Sequence, residues 1–70
     1  MAAKELLKKV GTNISRIRKE KGFTTTYLAQ SCDMEHSNLI PIEKGRINVT
    51  VETLSKLAAI LEVDVLEFFK

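Results

Sequence analysis

The stretch Gly22-Phe23-Thr24-Thr25-Thr26-Tyr27-Leu28-Ala29-Gln30-Ser31-Cys32-Asp33-Met34-Glu35-His36-Ser37-Asn38-Leu39-Ile40-Pro41-Ile42-Glu43-Lys44-Gly45 decides the fold. Gly22 suits the left-handed residue that stops a preceding helix. Thr24 offers a side-chain oxygen to cap a new one, running from Thr25 to about Ser31 with Leu28 and Ala29 turned inward. A second short helix begins near Glu35, carries Leu39 and Ile42 as its apolar pair, and ends before Gly45. Pro41 lies inside it. A proline there removes one hydrogen bond to the residue four positions back and crowds the carbonyl of Ser37, so this helix is expected to be short or kinked in its last turn.

Upstream, Leu6, Leu7, Val10, Ile14 and Ile17 follow the i, i+3, i+4, i+7 spacing of one helical face, with mostly Lys, Arg, Asn and Ser elsewhere. Gly11 interrupts that helix at about 1 kcal/mol relative to Ala, which predicts a frayed or separate first turn. Downstream, Thr50 can cap a helix whose apolar stripe is Val51, Leu54, Leu57, Ala58 and Leu61. Asp64 and Glu67 form a capping-box pattern for a final turn containing Leu66, Phe68 and Phe69. With no credible strand, repeat or linker, the expectation is an all-α, compact five-helix single domain over residues 1–70.

Length and composition bound the rest. Seventy residues allow one core, and a domain of that size buries only about 60% of its unfolded surface. Its stability margin is thin, and a partner subunit would help. Cys32 alone excludes an intramolecular disulfide, and with the single His36 it cannot build a zinc site, so helix packing must hold the fold. No stretch reaches the roughly eighteen apolar residues of a membrane span, and a soluble, cytoplasmic chain is expected. The net charge of +2 is uneven: residues 1–22 carry +5, residues 23–50 carry −1 and residues 51–70 carry −2. Such a gradient suits one face turned to an anionic partner and another turned away.

The string Ile14, Arg18, Gly22, Phe23, Thr24, Leu28, Ala29, then Leu39, Ile42, Glu43, Lys44, Gly45, then Leu54, Leu57, Ala58, Leu61, Val63, Leu66 resembles the phage repressor and Cro-type helix-turn-helix family. The match covers residues 10–69 approximately, with the helix-turn-helix core at about 24–43. The length, Glu35 and the Phe-rich end also resemble the small controller proteins of restriction-modification systems. The resemblance implies a repressor-like DNA-binding fold and a sequence-specific transcription regulator on double-stranded DNA.

In such folds the second helix of the motif, here about residues 35–42, enters the major groove, and its N-terminal residues meet base edges. Those are Glu35, His36, Ser37 and Asn38. His36 can donate or accept at a purine N7 or a phosphate, Ser37 suits almost any base edge, and Glu35 accepts from donors such as cytosine N4. Thr25 stands where the family usually has a Gln that braces the recognition helix; it can reach a phosphate or a thymine methyl but cannot form a bidentate amide pair. Ile40 and Pro41 occupy positions often polar or basic, so the rear of the helix contributes apolar contacts or none. Val49 replaces the common proline of the following loop.

Phosphate contacts are expected from Thr24 at the start of the second helix and from Lys44, Arg46 and Asn48 in the loop after the recognition helix. Lys19 and Lys21 contribute to the long-range field, while Lys4, Lys8 and Lys9 read as a solvated face. Cys32 reads as a small buried filler. The family typically pairs an Arg at the end of helix 1 with the Glu before the post-recognition loop, so Arg18 and Glu43 are expected to form a partly buried, charge-assisted pair.

The pattern argues against an enzyme: it holds no metal-ligand cluster and no phosphate-cradling glycine loop, and His36 lies near Cys32 with no third group to orient it. No cofactor, metal or small-molecule ligand is expected. The class-level alternative is an antitoxin-like or other protein-interaction module. Phe68 and Phe69 diverge by about 100° on a helix and so do not both face one core. Val63, Val65, Phe68 and Phe69 are therefore the expected interface of a homodimer, which would bind a palindromic operator with half-sites about 10 base pairs apart.

Overall fold

The computed structural model describes residues 3–70, so the first two positions of the expected 1–70 span lie outside the described residues. In chain order it contains α1 (Ala3–Glu20), α2 (Thr25–Ser31), α3 (His36–Glu43), α4 (Val51–Leu61) and a closing 3₁₀ turn (Val65–Phe69). Among the described residues the architecture is all-α, with four α-helices rather than five. The fifth element is too short to settle into α geometry: the Leu66 N–H donates to Asp64 Oδ1 at 2.9 Å and the Glu67 N–H donates to the Asp64 carbonyl at 2.9 Å, the i to i+3 pattern of a tight terminal turn.

The helix starts follow the sequence. Thr24 Oγ1 accepts from the Tyr27 N–H at 3.0 Å and Thr50 Oγ1 from the Thr53 N–H at 3.1 Å. α3 starts one residue later than expected, because Glu35 takes the extended cap conformation and offers no side-chain cap bond. The ends repeat one device. Each α-helix stops at a left-handed residue, Gly22, Asp33, Gly45 or Glu62. The N–H of the following residue then reaches back over the last turn, as Phe23 does to the Arg18 carbonyl at 3.1 Å and Met34 to the Ala29 carbonyl at 2.9 Å.

The core is built where these short helices meet, and Ile14, Leu28, Leu39, Leu57, Leu61 and Phe68 are its largest fully buried side chains. Phe68 thereby leaves the expected dimer interface. The closing turn folds back onto α1, where the Asn13 amide donates to the Phe68 carbonyl at 2.8 Å, and the ring goes inward with roughly 1.5–3 kcal/mol of burial behind it. Two expected core positions stay outside: Val51, in the first turn of α4, is 76% exposed, and Leu6, near the start of α1, is 38% exposed.

Nor does Gly11 break α1. The helix runs unbroken through it, since a Cβ at Gly11 would lie 2.4 Å from the Ile42 carbonyl oxygen and 2.6 Å from that of Glu43. The missing side chain lets α1 touch the end of α3 backbone to backbone. Packing there outweighs the helix-propensity cost that predicted a break.

Candidate nucleic-acid interface

α3 is fixed from behind and open in front. At its rear, Arg18 Nε donates to Glu43 Oε2 at 2.8 Å and Nη2 donates to Oε1 at 3.2 Å, a two-pronged pair that joins α1 to the last residue of α3. The third guanidinium nitrogen, Nη1, donates to the Phe23 carbonyl at 2.8 Å, so the same side chain also holds the loop that leads into α2. The two side chains are only 10% and 9% exposed. Water screens this pair weakly, and its hydrogen bonds balance the cost of taking both charges out of solvent.

At the leading end, Glu35, His36, Ser37 and Asn38 are all exposed. His36 is held by a residue of α2: its Nε2 lies 2.6 Å from Thr25 Oγ1. Whichever partner donates, this bond engages Nε2 and leaves Nδ1 as the ring nitrogen for an outside partner. Thr25 thus reaches α3 through a hydroxyl. Thr24, beside it, accepts from the Tyr27 N–H, which leaves its own hydroxyl hydrogen to donate outward.

The loop after α3 divides between two hollows. Asn38 and Asn48 line one of about 430 Å³ together with Ile47 and Thr53. Lys44 and Arg46 line another, of about 820 Å³, whose far wall is Lys4, Lys8 and Thr12 of α1. Cys32 is buried, and burial pushes its thiol pKa up while nearby Lys56 opposes that rise; a neutral, enclosed thiol suits the filler role. Among the described residues no group of three or more His, Cys, Asp or Glu is placed to hold a metal ion, and no helix is long and apolar enough to cross a membrane.

Residues 14–68 match the helix-turn-helix family. The chain belongs to that family, a family of DNA-binding transcription regulators and not of enzymes. It is similar to an uncharacterized helix-turn-helix-type transcriptional regulator of Sinorhizobium fredii, with 38% identity over 63 residues, covering 90% of this chain and 82% of that protein. It is similar also to the immunity repressor protein of Bacillus phage phi105, with 38% identity over 56 residues, covering 80% of this chain but 39% of the repressor. Among solved structures, the restriction-modification controller protein C.AhdI from Aeromonas hydrophila superposes with a TM-score of 0.86 at 30% identity, covering 90% of this chain and 96% of that one. Both resemblances drawn from the sequence, to phage repressors and to controller proteins, are met among these relatives.

Sequence reasoning missed three features of this helix-turn-helix surface. The Thr25–His36 bond joins residues eleven apart through a turn whose geometry depends on a left-handed Asp33. Lys4 and Lys8 are exposed, as a solvated face requires, but the sequence does not show that they stand opposite Lys44 and Arg46. Gly11, read as a weak point, is the contact that brings α1 to α3; a glycine set between Val10 and Ile14 on an apolar face was the available signal.

Proposed function

We propose that this chain regulates transcription in the cytoplasm by binding a palindromic operator as a homodimer, with α3 in the major groove of each half-site. The observation that carries this reading is the contrast along α3: an exposed polar leading end at Glu35–Asn38, and a rear end held by the Arg18–Glu43 pair. A rigidly mounted helix tip is what reading base edges requires, because a specific contact needs its donors and acceptors held in place. His36 offers Nδ1 to a purine N7, Ser37 its hydroxyl to a neighbouring base edge, and Glu35 a carboxylate to cytosine N4. Asn38 and Thr25 complete the base-facing set. Thr24, Lys44, Arg46 and Asn48 meet phosphates on either side and set the register.

Dimerisation runs through the chain's C-terminal end. Leu66 and Phe69 project from the closing turn at 62% and 40% exposure, and Val63 and Val65 beside them are partly buried. Selection of bound sequences from a random duplex pool tests the reading. The expected result is an enriched inverted repeat whose half-sites lie about 10 base pairs apart; recovery of a pool with no enriched sequence would overturn it.

A further inference from the structure

The 820 Å³ groove between the first half of α1 and the loop after α3 has a composition that the recognition surface alone does not explain. Its walls bring Lys4 and Lys8 of α1 opposite Lys44 and Arg46 of the loop. Among the described residues the ion pairs are Arg16–Glu20, Arg18–Glu43 and Lys70–Glu67, so none of these four cations has a carboxylate partner. Glu43 also reaches the groove, but both its carboxylate oxygens are bonded to Arg18, which neutralises it. Four unpaired cations around one hollow repel one another, and an anion lying between them relieves that repulsion.

The arrangement is held by backbone contacts. A Cβ at Gly45 would lie 2.5 Å from Lys8 Cα and 2.7 Å from Lys8 N, and the residue adopts φ +69°. The loop therefore sits directly on the α1 backbone at Lys8. One helical turn further on, Gly11 makes the equivalent contact with the end of α3. Lys8 is thus fixed beside the loop, and Lys4 follows it four residues away, about 6 Å along the helix. Both project from the same face of α1.

The geometry points to α1 as a second phosphate-binding element, in which Lys4 and Lys8 take up the DNA strand where Lys44 and Arg46 leave it. This rests on the reading that α3 lies in the major groove, since that docking brings a DNA strand past the loop. Duplex DNA carries one phosphate per about 3.4 Å of axis on each strand, so a strand that meets Arg46 has further phosphates within the span of the groove. The contact is electrostatic and sequence-independent. It lengthens the footprint beyond the bases that α3 reads without altering which bases those are.

The test compares the full chain with a Lys4→Gln/Lys8→Gln variant and a Lys9→Gln control, whose side chain lies on α1 outside the groove. Glutamine is a good helix former and the sites are exposed, and circular dichroism checks that each variant stays helical. Binding to the selected site and to a scrambled duplex is measured by fluorescence anisotropy over a salt series. The double variant is expected to flatten the slope of log K against log salt by about 1.8 units, one phosphate per lysine, equally on both duplexes. The control is expected to change the slope by less than about 0.5 unit. If the double variant keeps the wild-type slope while Lys44→Ala lowers it, α1 makes no phosphate contact and the proposed function still stands. A loss per charge as large in Lys9→Gln as in the double variant also overturns the proposal, since it marks a long-range field. A flat slope for the wild-type chain would sink both.

Discussion

Arg18 uses all three guanidinium nitrogens, two on Glu43 and one on the Phe23 carbonyl, in a place where water barely reaches. Truncating one member of such a pair leaves the other charge buried and uncompensated, so Glu43→Gln is expected to cost about 3 kcal/mol, read as a lower urea midpoint. The double replacement Arg18→Met/Glu43→Leu is expected to cost less than either single change, because it removes the stranded charge along with the bond. Additive single losses would show that the two side chains act independently. The types of both residues were legible in the chain, and their register in the resemblance. The Thr25–His36 bond was not, since a single hydroxyl carries no spacing signal and the turn between them hinges on a left-handed aspartate.

At the scale of the elements, capping and glycine placement reproduce most of the boundaries, because N-caps and left-handed stops are local chemistry. What local chemistry does not contain is the neighbour. Gly11 shows the difference most sharply: helix propensity alone says that Gly11→Ala should gain about 1 kcal/mol, whereas the approach of the Ile42 and Glu43 carbonyls says that it must push α1 away from α3. Gly11→Ala is therefore expected to destabilise by about 3 kcal/mol; a stabilised variant would disprove the contact. The opposite sign belongs to Glu62, which ends α4 in the left-handed region at φ 59°. Glu62→Gly is expected to raise stability by about 1 kcal/mol in thermal unfolding, and a loss would show that its side chain serves the fold in some other way. Phe68 and Phe69 make the same point about neighbours. Their divergence could be read from adjacency, but the choice of Phe68 for the core follows from how the closing turn docks on α1.

For the molecule as a whole, the proposed DNA contacts fall at residues 24–48 and the proposed subunit contacts at residues 63–69, so the two are expected to fail separately. Phe69→Ser and Leu66→Ser should shift the chain from dimer to monomer in sedimentation at micromolar concentration, and lower affinity for the full inverted repeat more than for a half-site. A wild-type chain that sediments as a monomer at high micromolar concentration would contradict the dimer. The central claim is that α3 reads bases while the loop behind it holds phosphates. It is tested most directly by measuring, for His36→Ala, Ser37→Ala, Lys44→Ala and Arg46→Ala, the ratio of affinity for the selected site to affinity for random duplex at two salt concentrations. The His36 and Ser37 changes are expected to cost about 1–3 kcal/mol on the selected site and much less on random DNA. The Lys44 and Arg46 changes are expected to weaken both duplexes alike and to flatten the salt slope by about one unit each. If the ratio for His36→Ala and Ser37→Ala equals that of the wild-type chain, α3 does not read the sequence.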